Sequence, residues 1–293
     1  MKKKEKRFQF WMNLILIILS VFCVFPFILM FMASITEETA LSINGYSLFP
    51  SEFDFEAYKY LLADSTILFN GYKVSILVTV IGTVVNLVLT TLFAYPLSRK
   101  NLPGKKLFSF FLFFTMLFNA GLIPSYMMWT RTFHIQNTYA ALIVPNLLMG
   151  AYNVIMMRTF LSSSIPDEVI EAARIDGAGE FRILSRIVVP MAKPIIATLA
   201  MLVGLGYWND WMNGLYYLND DNLYSVQVLL TKIMRNLDMV RVNAAAGGGS
   251  LGAMPTMSLR MAIAVMGIIP VMLVYPFLQK YLVKGITVGS VKG

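Results

Sequence analysis

Cysteine and histidine are almost missing from this 293-residue chain, with Cys23 and His134 the only examples. A single cysteine excludes an intramolecular disulfide, and a single histidine without companions at ligand spacing gives no basis for a metal site. Charge is scarce as well. Only 14% of the residues are charged while 57% are hydrophobic, too apolar a balance for a soluble globular domain of this size, so the chain reads as an integral membrane protein. The formal charge of +8 does not point to nucleic acid, because the basic residues fall at the ends of apolar runs and no aromatic-interleaved basic patch occurs. There is no Gly-x-x-x-x-Gly-Lys-Ser/Thr loop, so the chain has no phosphate cradle for hydrolysing ATP. No serine motif draws His134 into a catalytic set.

What the chain does have is long apolar runs. Six of them, about 10–34, 73–97, 107–129, 139–160, 190–217 and 259–283, approach the roughly 20 residues that a bilayer core demands. Helices are the only spanning option at these lengths, because hydrocarbon offers the backbone no hydrogen-bond partner. The expectation is an all-α membrane protein of one transmembrane domain over 10–293, preceded by a short end at 1–9. Outer loops would cover 35–72 and 218–258, a central loop 161–189, and a tail 284–293. Lys2, Lys3, Lys4, Lys6 and Arg7 before the first run suggest a signal peptide, but the run is too long and no small-residue cleavage site follows, so an uncleaved first helix is expected. Seventeen of the 24 Lys and Arg fall on the side holding both ends and the central loop, against seven on the other. That bias places both termini in the cytoplasm of a multi-pass protein of the cell membrane.

The central loop is the most informative stretch. Pro166, Asp167 and Glu168 make a helix start, since proline suits the first helical position and acids favour the positive dipole end. Gly177 stops the helix, leaving a short sided element over about 166–176 with Val169, Ala172 and Ala173 near one face and Glu168, Glu171 and Arg174 near another. The spacing of Glu171-Ala172-Ala173, Asp176-Gly177, Ile187 and Val189-Pro190 resembles the EAA loop of ABC-importer permease subunits, with Val189 where that family has Leu. The tail from Gln279 is similar to that of maltose-type sugar permeases that pair with a second, different permease, and within them to the polysaccharide-uptake subgroup.

The resemblance implies a type I ABC importer permease fold: six transmembrane helices with a cytoplasmic coupling helix. It implies Glu171, Ala172, Ala173, Asp176, Gly177 and Pro190 as ATPase-coupling residues. It also implies four partners: a second permease, an ATPase dimer, an extracytoplasmic solute-binding protein and an oligosaccharide, uronate-containing fragments of pectin or alginate among them. ATP and Mg would be bound by the ATPase, and no cofactor by this chain. The run Ala244, Ala245, Ala246, Gly247, Gly248, Gly249 would belong to a thin loop entering the binding-protein cleft; by composition alone it is a flexible linker.

Polar and aromatic residues inside the runs are the substrate-path candidates, because polar groups in hydrocarbon are costly and face a cavity or another helix. They are Asn86, Asn119, Tyr152, Asn153 and the cluster Trp208, Asn209, Asp210, Trp211, with Tyr95, Tyr126 and Asn146 alongside. Aromatic faces stack on sugar C–H surfaces while amides and carboxylates take hydroxyls; helix–helix hydrogen bonding is the other reading of each residue. Asn119 to Pro124 should break the third run. Two alternatives stay open: an ion-coupled secondary transporter, for which mid-span ionisable groups are nearly absent, and an ABC permease for a non-sugar solute.

Overall fold

The computed structural model describes residues 2–63, 65–245 and 256–290. The chain is 79% helical, with no strands among the described residues beyond an isolated bridge between Thr36 and Phe53. It divides into two compact units, the first made from the chain up to Leu68 with Leu230–Pro270, the second from Phe69–Leu229 with the chain from Val271 onward.

In the first unit, α1 (Lys2–Ser34) is long and apolar enough to cross a membrane, and none of its most apolar stretch is buried. After it come α2 (Glu38–Asn44) and α3 (Glu56–Leu62), two short helices in the expected first outer loop. Glu38 reaches 219 residues along the chain to accept hydrogen bonds from the Met257 N–H at 2.7 Å and the Ser258 N–H at 3.0 Å. The Thr256 and Ser258 hydroxyls donate to it as well. Burial pushes this carboxyl up, but the bonds from Met257 and Ser258 outweigh it and hold the group below the usual carboxylate range. These donors open a helix that enters an apolar run, so a carboxylate there satisfies N–H groups that no intrahelical partner can.

The second unit follows α4 (Ser65–Ser98), a 34-residue helix. The third expected run is not one helix: α5 (Lys105–Leu117) and α6 (Leu122–Met127), continued by a π-turn at Met128–Thr132, meet at 113°. Gly121 makes the corner at φ +85°, a conformation in which a Cβ is strained, and the Asn119 side chain accepts from its N–H at 2.8 Å.

The fourth expected run is divided too. It forms α7 (Tyr139–Ile143) and α8 (Ala151–Ser164), with non-helical backbone from 144 to 150 between them. Pro145 accounts for part of the break, since it lacks the N–H that would continue the ladder, and Asn146 then turns the chain at φ +62°. Next come α9 (Asp167–Ile175) and α10 (Glu180–Ile183), a π-turn at Leu184–Val188, α11 (Val189–Met191) and α12 (Lys193–Trp208). The chain bends by 80° at Ala192, between Pro190 and Pro194. The short α13 (Met212–Tyr217) and a 3₁₀ turn at Asp221–Leu223 follow.

Two long helices end the chain. The expected second outer loop carries α14 (Val226–Ala245), 20 residues of regular helix that reaches Ala244 and Ala245, the first two residues of the linker-like run. The last helix, α15 (Met257–Ser290), runs into the expected tail. Three helices among the described residues suffice alone to cross a membrane, or five spans if each bent pair is counted as one, against the six runs expected from hydropathy.

Candidate functional site

Two features of the second unit bear on function: the backbone break beside α4, and the face where α9 rests on the end of α4.

At the break, carbonyls of Ile143, Pro145 and Leu147 lie where the helix is interrupted. The Tyr207 hydroxyl donates to Ile143 O at 2.9 Å, Asn213 Nδ2 to Pro145 O at 3.0 Å and Asn86 Nδ2 to Leu147 O at 2.6 Å. Asn86 Oδ1 accepts in turn from the Thr90 hydroxyl at 3.1 Å. Interrupted backbone needs its polar groups met, and α12, α13 and α4 each contribute one donor. The ring of Tyr207 packs onto Gly82, where a glycine lets α4 and α12 approach closely.

This placement changes the reading of several expected path residues. Asn86 is 1% exposed with its amide nitrogen on Leu147 O, the geometry of a staple between helices. Asn119 serves the α5–α6 corner. Tyr152 is exposed and Asn153 half-buried on α8. At the α12–α13 turn, Trp208 is buried with its ring 6.4 Å from that of Tyr72, and Asn209 caps α12 by donating its N–H to Leu205 O. Asp210 Oδ1 accepts from the Asn213 N–H at 3.3 Å, and Trp211 is exposed. The candidates thus lie at three different helix breaks. Of the expected thin loop, Ala244 and Ala245 end α14, while Ala246, Gly247, Gly248 and Gly249 lie outside the described residues.

The second feature is α9. Its end is a complete C-terminal motif: the Ala178 N–H donates to Ala173 O at 2.9 Å, the Gly177 N–H to Arg174 O at 3.0 Å, and Gly177 sits at φ +78°. The faces differ from the sequence expectation. Ile170 and Ala173 are buried in a core with Leu161, Ile183 and Leu184, whereas Val169 and Ala172 turn outward with Glu168 and Glu171. Residues three apart share a helical face, and once Ile170 and Ala173 point inward the Val169–Ala172 pair, one residue back, is carried outside. Ile175 at 86% and Phe181 at 76% exposure extend this outward apolar surface. Asp176 caps the helix, and Pro190 lies beside the 80° bend.

Beneath α9 lies an open groove of about 930 Å³, floored by Tyr95 and Leu184 and flanked by Arg99, Lys100, Asp167 and Glu180. Asp167 pairs with Lys100 at 2.9 Å and Arg99 at 3.2 Å. The hydrogen bond from Lys100 is the largest influence on the Asp167 carboxyl and holds it below its usual range, and the same bond raises the Lys100 ammonium. A lowered carboxyl stabilises above its ordinary value of about 3.9 and loses that contribution as pH falls through the folded value; a raised ammonium contributes below about 10.4 and loses it as pH rises. The difference in thermal midpoint between wild type and Asp167→Asn is therefore expected to stay constant from about pH 5 to 9 and to shrink in stronger acid. A change in that difference across neutral pH would contradict the pairing.

Composition and periodicity do not mark this cluster: Asp167 reads as a helix-start acid, Tyr95 as a mid-span candidate, and Arg99, Lys100 and Glu180 carry no motif. The available signal was Tyr95 and Arg99, four residues apart on the last turn of a span and thus on one face.

Residues 2–288 match the family described as binding-protein-dependent transport system inner membrane component. The chain is 36% identical over 295 residues to the polygalacturonan/rhamnogalacturonan transport system permease protein YtcP of Bacillus subtilis (strain 168), covering 99% of this chain and 100% of that protein. It is 26% identical to the arabinooligosaccharides transport system permease protein AraQ of Halalkalibacterium halodurans, over the full length of both. A chain in the crystal structure of a bacterial ABC transporter involved in the import of the acidic polysaccharide alginate superposes with a TM-score of 0.78 at 31% identity, covering 95% of this chain and 97% of that one.

Proposed function

The chain belongs to the family of binding-protein-dependent transport system inner membrane components, and we propose that it imports uronate-containing oligosaccharides, fragments of pectin or alginate type. It is an ABC importer permease with the all-α type I fold. Its relatives' substrates, polygalacturonan and rhamnogalacturonan for one and alginate for another, are acidic polysaccharides, which supports the uronate class.

The observation that carries the mechanism is the two-sidedness of α9. Its inward face is fixed in the core by Ile170 and Ala173, and its outward face presents Val169, Ala172, Ile175 and Glu171. A short helix anchored on one side and apolar on the other suits docking into a cleft of a separate ATPase subunit, with Glu171 as the polar anchor. In this reading α9 and both termini are cytoplasmic, in keeping with the excess of Lys and Arg on that side. A second, different permease completes the pore, and a solute-binding protein delivers the sugar from outside. ATP and Mg belong to the ATPase dimer, whose closure moves α9 as a lever.

The substrate class is tested on the purified complex with its binding protein. Oligogalacturonates or alginate oligosaccharides should stimulate ATP hydrolysis at least tenfold more than neutral maltooligosaccharides. Stimulation by neutral sugars or amino acids alone would overturn the assignment.

A further inference from the structure

The side chains around the groove close a ring. At the start of α9, Asp167 is held by Arg99, whose Nη2 also donates to Leu161 O at 3.3 Å and whose Nε donates to the Ser98 hydroxyl at 2.9 Å. At the other end of α9, Arg174 binds Glu180 Oε1 through Nε at 2.8 Å and Nη2 at 2.7 Å. The second carboxylate oxygen of Glu180 accepts from the Tyr95 hydroxyl at 2.8 Å, a contact spanning 85 residues of sequence. The ring closes on α4, where the Arg99 guanidinium lies 5.5 Å from the centre of the Tyr95 ring. Both ends of α9 are thereby tied to the last turn of α4 and the residue that follows it.

We infer that Tyr95 and Glu180 are positioning residues that transmit displacement of α9 to α4, so that the coupling helix and the end of this membrane helix move as one body. Tyr95 is 5% exposed and the Arg99 side chain 12%, while the carboxylates they hold, Asp167 and Glu180, are 37% and 56% exposed, so each tie joins a buried group on the α4 side to a partner at the open groove. Beyond them α4 is continuous helix. Asn86 lies nine residues up the same rod, roughly 13 Å at 1.5 Å per residue. There it holds Leu147 O at the α7–α8 break. A push on α9 is delivered along α4 to the interrupted backbone in the membrane, without requiring any other contact. The two ties divide the work: the Asp167 pair fixes the start of α9 from the exposed side, and the Glu180–Tyr95 bond fixes its end from the buried side.

This inference rests on the importer reading, and its test separates the two. Wild-type, Tyr95→Phe, Glu180→Ala, the double variant and Glu180→Gln complexes are reconstituted with their ATPase and binding protein. Uptake of labelled oligogalacturonates and alginate oligosaccharides is then measured per ATP hydrolysed. Tyr95→Phe removes only a hydroxyl. Each single variant is expected to lower that ratio about tenfold while all subunits still co-purify, and the double variant to be no worse than the weaker single, as members of one linkage behave. Glu180→Gln keeps an acceptor for Tyr95 and is expected to recover at least half of the wild-type ratio. Wild-type ratios in both single variants, losses that add in the double, or loss of co-purifying subunits would overturn the inference. If the wild-type complex itself shows no ATP-driven uptake, the importer reading fails and takes the inference with it.

Discussion

Replacing Gly177 by valine is expected to lower ATP-driven uptake at least a hundredfold while the chain still inserts in the membrane. Gly177 sits at φ +78°, and a Cβ built there meets no atom within 4 Å, so the penalty comes from backbone geometry and not from crowding. A left-handed conformation costs an L-residue roughly 1–2 kcal/mol, and more for a β-branched one. Valine is expected to abandon it. The bonds from Gly177 and Ala178 to Arg174 and Ala173 are then lost, and Arg174 is carried away from Glu180. Order among substitutions separates this account from a simple contact role. Asparagine tolerates the left-handed region better than alanine, so severity should rise from Asn to Ala to Val. If Gly177→Asn were worse than Gly177→Ala, size at a partner surface would be the cause instead. Uptake assays on the three variants decide this.

Gly82→Ala is expected to cause the largest loss of folded stability among glycine-to-alanine changes in α4 and α12. A Cβ at 82 would lie 2.5, 2.6 and 2.8 Å from three atoms of the Tyr207 ring. That ring cannot simply retreat, because Tyr207 is 3% exposed and its hydroxyl holds Ile143 O at the α7–α8 break. Overpacking of this kind costs about 1–3 kcal/mol, and releasing a buried carbonyl adds about 1–3 kcal/mol more. Gly179→Ala provides the control, since nothing lies within 4 Å of that position and its φ of −70° suits any residue. The thermal midpoint of the detergent-solubilised protein should fall clearly for Gly82→Ala and hold for Gly179→Ala. Equal midpoints would show that Tyr207 moves freely and that the break is sealed in some other way.

Much of this architecture can be read from the residues, and the parts that cannot have identifiable causes. The helix at Asp167–Ile175, its glycine stop and the corner at Asn119–Pro124 follow from local chemistry, which acts over a few residues and leaves its mark in order. The division of 139–160 is different. Hydropathy sees that Ile143 to Met149 is apolar apart from Asn146, but not that its carbonyls are satisfied by Tyr207, Asn213 and Asn86, which lie far away in sequence. Pro145 was the visible warning. The faces of α9 are not legible locally because a helix this short has apolar residues on two adjacent faces, and only the core made by Leu161, Ile183 and Leu184 selects Ile170 and Ala173 as the inner pair. In the same way, nothing local marks Glu180 as the partner of Tyr95. For Asn86, two readings were open, sugar contact or helix–helix staple, and the geometry supports the staple.

The central claim is that this permease is driven by ATP through α9. It is tested most directly by sugar accumulation in vesicles holding the complete complex, with the binding protein and labelled oligogalacturonates or alginate oligosaccharides on the outside. The account predicts accumulation when ATP is supplied to the ATPase and none when vesicles holding the permeases alone are given only a proton or sodium gradient. Accumulation driven by the ion gradient without the ATPase would contradict it.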